Sequence, residues 1–151
     1  MTYEHISEGR LVIRLMTPED ITAVLEIDRR ISGIERAVTY DDSRTGDVGG
    51  ELDLSFVAEA GDKFVGFILA RHAYVGEPAV ETGFIQNVGV DPAYRRQGIA
   101  TRLIISLIEH CKSKGLKTVR IMVNERDGQL QDLFHRFDFR RGEFIDYTRT
   151  I

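Results

Sequence analysis

The residues with the clearest chemical character in this chain are three arginines gathered around one glycine. Arg95 and Arg96 stand just before Gly98, and Arg102 follows it within one helical turn. A glycine lets a ligand approach the backbone closely because it carries no Cβ. Where it opens a helix, the unpaired N–H groups and the helix dipole attract an anion, and nearby guanidinium groups add positive charge. The pattern therefore indicates a phosphate-binding loop.

A strand and a helix must position this loop. Residues 84–90 form an apolar run with β-branched side chains, which predicts a strand, and residues 93–97 form a short polar loop. The helix that follows Gly98 is predicted to end near Lys114, because Gly115 is a stop signal. Its buried face is indicated by apolar residues at three- and four-residue spacing: Ile99, Leu103, Ile104, Leu107, Ile108 and Cys111. This strand–loop–helix places the loop where ligands of such sheets bind.

The rest of the chain reads as an α/β protein. Other strands are predicted over residues 11–16, 52–60, 63–74, 117–123 and, as one or two closing strands, 139–150. Helices are predicted over 17–31, opening on the N-cap Thr17 and Pro18, and over 127–137. Residues 32–51 are irregular, with a helical turn or two over 35–42. We expect a central mixed sheet with helices on both faces, in which the strand–helix–strand unit 84–123 is parallel and right-handed.

Bulk composition limits the function classes. A length of 151 residues suits a single domain, 1–151, and 42% hydrophobic residues are ordinary for a soluble globular protein. The net charge of −4 and the lack of a continuous basic face argue against a nucleic-acid-binding function. No apolar run reaches the length of a membrane span, and the N-terminus lacks a signal-peptide pattern. The single cysteine, Cys111, fits a reducing compartment, so we expect a cytoplasmic protein.

The segment V-G-V-D-P-x-Y-R-R-Q-G-I-A resembles the acyl-CoA-binding signature of the GNAT family of N-acetyltransferases, in which Arg95, Gly98 and Ala100 match the form Arg/Gln-x-x-Gly-x-Gly/Ala. Two further segments are similar to the family in the right order. Residues 13–20 resemble its first strand and helix start, and residues 123–139 resemble its later Asn-x-x-Ala-x-x-Leu-Tyr-x-x-x-Gly-Phe segment. The resemblance thus covers most of the chain, and it implies a GNAT-like fold.

The resemblance implies acetyl-CoA as cosubstrate, an amine as acceptor and no metal. Backbone groups of Val88 and Val90 would hold the pantetheine arm as an added strand, and a backbone amide near Val88 would stabilise the oxyanion. Amides from Arg95 to Thr101 would hold the pyrophosphate. The implied cofactor-binding residues are Val88, Gly89, Val90, Arg95, Arg96, Gln97, Gly98, Ile99, Ala100, Thr101, Asp127 and Phe134.

Several family positions carry other residues here. Phe134 occupies the place that often holds a tyrosine general acid, and the family's asparagine, alanine and glycine fall on Asp127, Leu130 and Asp138. Strand positions where relatives place a base hold Phe84 and Gln86. The residues selected as candidate catalytic groups are Gln86, Glu81 and Tyr147, and the further candidate proton carriers are His72, Tyr74, His135 and Asp138. Cys111 lies on an apolar helical face, so an acyl-cysteine route is disfavoured.

Three functions remain open at this point. The first is an acetyl-CoA-dependent N-acetyltransferase that transfers directly to a primary amine in a ternary complex. The second is a non-catalytic acyl-CoA sensor or regulatory module, and the third is a structural α/β domain with a chance phosphate loop. Residues 32–51 would shape the acceptor pocket by resemblance, or form a mobile surface loop. The acceptor, the acyl chain length and a homodimeric assembly are left open.

Overall fold

The computed structural model describes residues 10–32 and 53–151. The chain divides into two compact units, Met1–Ile121 and Met122–Ile151. The helical turn predicted over 35–42, and the question of how 32–51 is used, fall almost wholly outside the described residues. None of the helices in the described part is long and apolar enough to cross a membrane.

The first unit is built on a sheet whose five described strands follow the chain order β1-β2-β3-β4-β5. The strands are β1 Leu11–Leu15, β2 Phe56–Ala60, β3 Lys63–Val75, β4 Val80–Val90 and β5 Thr118–Ile121. Neighbours from β1 to β4 are antiparallel, with the β2–β3 hairpin turning at residues 61–62, whereas β4 and β5 are parallel. The predicted mixed sheet and the parallel strand–helix–strand unit are confirmed.

Helices cover both faces of this sheet. Among the described residues of the first unit, the helices are α1, Ile21–Ser32, and α2, Ile99–Ser113, with short 3₁₀ turns at Pro18–Asp20 and Pro92–Tyr94. Side chains of α1 share one apolar cluster with Phe67 and Leu69 of β3. A Cβ built at Gly66 would instead lie 3.0 Å from Ile99 and 3.4 Å from Leu103, both of α2. Successive strand residues point to opposite faces, so the α1 face and the α2 face are the two sides of the sheet.

Charged groups hold the start of α1 to the sheet edge. The Thr17 N–H donates to the Asp20 carboxylate at 2.8 Å, as the sequence predicts for this helix start. Arg14 of β1 donates to Asp20 at 2.8 and 2.9 Å and also pairs with Glu59 of β2. Burial raises the pKa of Asp20, but the hydrogen bonds from Arg14 and Thr17 outweigh it and the net shift is downward. The first helical turn is therefore 3₁₀, tied to two strands.

The second unit contains α3, Gly128–His135, within the predicted helix 127–137. The Asp127 carboxylate caps it by accepting a hydrogen bond from the Leu130 N–H at 3.0 Å. The prediction of closing strands over 139–150 is wrong, because these described residues adopt no strand conformation. Phe144, Ile145 and Tyr147 favour strands by type but are exposed, and a strand needs a hydrogen-bonded neighbour as well as propensity.

Candidate acyl-CoA site

The centre of the site is the point where β4 loses one of its two neighbours. The ladder between β4 and β5 runs from Thr82 to Ile85, and among the described strands only β3 pairs with the remainder of β4. The β3–β4 register moves from Asn87 opposite Leu69 to Ile85 opposite Ala70, so Gln86 is the extra residue of a β-bulge. From Gln86 to Val90, one edge of β4 is therefore left open.

The hydrogen-bonding pattern shows which main-chain groups line that open edge. The Asp91 N–H donates to the Val65 oxygen at 2.8 Å, which makes Asp91 a residue whose polar groups face β3. In an antiparallel pair this orientation alternates from residue to residue. The N–H and C=O groups of Val90 and Val88 therefore face away from β3, toward the open edge.

Asp91 also fixes the loop that leaves β4. Its buried carboxylate accepts a hydrogen bond from the Ala93 N–H at 3.0 Å and forms an ion pair with Arg30 of α1 at 2.7 Å. The Tyr94 N–H donates to the Asp91 oxygen at 2.8 Å, and the Tyr94 ring is buried, with Lys63 Nζ 5.7 Å from its centroid. The conformation of this loop is thus held by contacts within the protein.

The end of the loop adopts backbone conformations suited to anion binding. Arg96 and Gly98 have φ values of 63° and 75°, both left-handed. Gly98 is the N-cap of α2, and its oxygen accepts the first helical bond from the Arg102 N–H at 3.0 Å. N–H groups in the first turn of a helix have no intrahelical partner, so those of Ile99, Ala100 and Thr101 are available to a ligand. The predicted strand–loop–helix is confirmed in its geometry.

Space in front of Gly98 is free within the described part of the chain. A Cβ built there would meet no atom of the described residues within 4 Å. The guanidinium groups of Arg95 and Arg96 are exposed beside it, while Arg102 donates to the Leu11 oxygen at 3.3 Å. The loop therefore presents positive charge and main-chain donors around an open position.

The candidate catalytic residues of β4, Glu81 and Gln86, lie apart along the strand. A Cβ at Gly83 would lie 2.6 Å from Cys111 Sγ of α2, so Gly83 and, two residues before it, Glu81 face α2. Phe84 faces the other side, and so does Asn87, whose Nδ2 donates to Asp28 of α1 at 3.2 Å. Gln86, exposed, stands between Phe84 and Asn87. The structure does not bring Glu81 and Gln86 together.

Glu81 belongs to a surface group at the far end of β4. It accepts a hydrogen bond from the Tyr74 hydroxyl at 3.2 Å, and His72 Nε2 lies 3.9 Å from its other oxygen. The negative charge of Glu81 raises the pKa of Tyr74 above its ordinary value. A phenol with a raised pKa is a weaker acid, and Glu81 lies five positions before Gln86, about 16 Å along the strand.

Cys111 is a core residue, as its helical spacing predicts. Its side chain is 1% exposed, and burial raises the pKa of the thiol to about 11. A thiol that is protonated at neutral pH and buried against Gly83 is a poor nucleophile.

The second unit holds the remaining candidates. Phe134 is 3% exposed and packs edge-on against Phe139 at 5.0 Å, so it supplies an apolar anchor where the family often has a hydroxyl. Asp138 has a φ of 62°, which explains a family glycine at that position. Tyr147 is 91% exposed and His135 is exposed. Within the residues that the structure describes, no cluster of three metal-ligating side chains occurs.

Sequence reasoning missed three features of the site. The bulge at Gln86 leaves no signal in the residue pattern. The ion pair of Arg30 with Asp91 joins residues 61 positions apart, and so is equally invisible. Asp28 did leave a signal, since a carboxylate inside the apolar face of a predicted helix needs a buried partner, here Asn87.

Comparisons with known proteins identify the family of this chain. The family model of the GNAT acetyltransferases matches residues 21–139. An uncharacterized N-acetyltransferase of Methanocaldococcus jannaschii is 30% identical over 91 residues, which are 60% of this chain and 40% of that protein. The chain therefore spans less than half the length of this curated relative.

Solved structures share the fold at low identity. The aminoglycoside acetyltransferase AAC(6')-Iy, in complex with a bisubstrate analogue of CoA, superposes with a TM-score of 0.75 at 19% identity, covering 95% of this chain and 99% of that one. A possible acetyltransferase of Clostridium difficile 630 gives 0.77 at 17% identity over 95% and 99%. The ribosomal-protein-S18-alanine N-acetyltransferase of Escherichia coli gives 0.71 at 21% identity over 87% and 79%. With the family model matched over most of its length, this chain belongs to the GNAT acetyltransferase family.

Proposed function

We propose that this protein is an acetyl-CoA-dependent N-acetyltransferase that transfers the acetyl group directly to a primary amine. The observation that carries the proposal is the open edge of β4, which leads straight into the donor-rich start of α2. An extended pantetheine arm requires the first feature and a pyrophosphate requires the second, and here one continuous segment, residues 88–101, supplies both.

In the proposed complex, the main-chain groups of Val88 and Val90 hydrogen-bond the pantetheine arm as an added strand, with Gly89 between them. The amides of residues 95–101 hold the pyrophosphate, and Gly98 permits its close approach. The side chains of Arg95 and Arg96 add charge at the rim. Asp127 and Phe134 are assigned structural roles in α3, since one caps the helix and the other anchors it.

The reaction follows from this placement. The thioester lies near the bulge, and the lone pair of a neutral amine attacks its carbonyl carbon. A C–N bond forms, the C–S bond breaks, and CoA leaves as a thiolate that takes up a proton, while the amine nitrogen loses its proton to solvent. A main-chain N–H near Val88 stabilises the oxyanion, and Gln86 orients water at the bulge. Direct transfer is supported by the burial of Cys111, which argues against an acyl-cysteine intermediate.

Among the described residues, the β4 side chains on either side of Gln86 on the α1 face are Phe84 and Asn87, and neither is a strong base, which favours an amine of low pKa. At neutral pH a lysine amine with a pKa near ~10.4 must lose a proton at a cost of roughly 4–5 kcal/mol, whereas an α-amine near ~8 costs about 1 kcal/mol. We therefore propose an α-amino group as acceptor.

Thiol release from acetyl-CoA with a panel of α-amines, lysine derivatives and polyamines tests the proposal. The expected result is steady turnover that depends on the amine and is fastest with α-amines at neutral pH. A clear preference for lysine side chains would reject the α-amine acceptor. Binding of CoA without turnover of any amine would instead identify a sensor, an alternative that the apolar Phe134 at the usual tyrosine position favours.

A further inference from the structure

A guanidinium group stands beside the proposed acetyl position on the α1 face. Arg71 of β3 lies directly opposite Phe84 of β4, and its Cζ lies 5.8 Å from the centre of the Phe84 ring. Arg71 follows Phe67 and Leu69 at two-residue spacing, so it shares their face. Gln86, the bulge residue, follows Phe84 by two positions on the neighbouring strand.

Within the described residues, this face of the sheet is exposed at Arg71. On the other face, α2 packs against Gly83, and Ile85 is buried beneath it. On the α1 face, coverage by α1 ends at Leu69, which is buried, and Arg71 two residues later is exposed. An acceptor that reaches the thioester near Gln86 from this face therefore passes the Arg71 guanidinium.

Among the residues that the structure describes, the charge presented on this part of the face is positive. Asp28 lies on the same face, but it is 2% exposed and accepts a hydrogen bond from Asn87, so its carboxylate is enclosed. Glu81 lies on the opposite face with Tyr74. The Phe84 ring holds the Arg71 guanidinium by a cation–π contact while its N–H groups can still bind a carboxylate in the bidentate manner that arginine favours.

We propose that Arg71 selects acceptors that carry a carboxylate close to the reacting amine, namely peptides with an acidic residue next to their α-amine. This inference rests on the proposed function and names its substrate class. Polycationic amines are disfavoured at the same site, because their second ammonium group would face the guanidinium.

The test compares three peptides that differ only at the second residue, which is Asp, Ala or Lys, as acceptors for acetyl-CoA. We expect the native protein to rank them Asp, then Ala, then Lys by kcat/KM. Arg71→Gln lowers kcat/KM for the Asp peptide about tenfold, mainly through KM, and changes the Ala peptide less than about twofold. Arg71→Lys keeps most of the preference. Lys112→Gln on α2 removes the same charge and leaves the ranking unchanged.

Two results would overturn this inference while the proposed function stands. One is turnover without a preference for the Asp peptide in the native protein. The other is an equal loss for all three peptides in Arg71→Gln, which marks a structural role. If CoA binds but no amine is acetylated, the proposed function fails, and the inference fails with it.

Discussion

Replacing Gly98 by alanine is informative because its effect on folding stability and its effect on CoA binding have different physical causes. Its φ of 75° is left-handed, yet the space where a Cβ would stand is free of described protein atoms within 4 Å. Gly98→Ala therefore carries only the backbone cost, about 1–2 kcal/mol. For a chain of 151 residues this lowers Tm by roughly 3–6 °C.

The replacement is also expected to weaken CoA binding, for a reason other than backbone strain. The backbone strain is present with and without CoA, so it cancels in the affinity. A Cβ in the path of the pyrophosphate weakens N–H bonds to a charged group, which are each worth about 1.5–3 kcal/mol. We expect the Kd for CoA, measured by calorimetry, to rise by about tenfold to a hundredfold.

Gly115, just beyond the other end of α2, provides a matched control. Its φ is 78°, and no described atom lies within 4 Å of a Cβ built there. Gly115→Ala should lower Tm by a similar amount and leave the Kd for CoA within about twofold, because only the strain differs from the native protein. If Gly98→Ala binds CoA as tightly as Gly115→Ala does, the pyrophosphate does not lie at this loop and the reasoning is refuted.

Three further predictions concern the scaffold. Arg96→Gly removes the left-handed strain at Arg96 and should raise Tm by roughly 2–5 °C in calorimetry; a lower Tm would show that the Arg96 side chain stabilises the loop by more than the strain. Gly83→Ala places a Cβ 2.6 Å from Cys111 Sγ, so denaturant unfolding should show a loss of about 1–3 kcal/mol that Cys111→Ala partly restores in the double variant; additive losses would mean that the two residues do not conflict. The folded pKa of Asp20 is lowered, so its stabilisation is fully present above its ordinary pKa and is lost as the pH falls through the folded value. The difference in unfolding free energy between the native protein and Asp20→Asn should therefore be constant near neutral pH and shrink below about pH 4; a difference that is unchanged down to pH 2 would remove Asp20 from the acid response.

Local patterns in the sequence were sufficient to predict several elements of the fold. The apolar spacing of α2, the stop at Gly115 and the cap at Thr17 predicted helix positions within a residue or a turn. The loop around Gly98 could be predicted because a glycine before a helix leaves a backbone that a ligand can approach closely. The same local reasoning failed at residues 139–150, where strand propensity was present but pairing was absent.

Which groups come into contact depends on how distant segments of the chain pair and pack. The open edge of β4 exists because the β5 ladder stops at Ile85, and the bulge at Gln86 exists because β3 and β4 change register. Glu81 and Gln86 are close in sequence yet lie about 16 Å apart along β4, while Arg71 of β3 lies opposite Phe84. Strand register and pairing follow from packing between distant segments, and no local pattern in this chain records them.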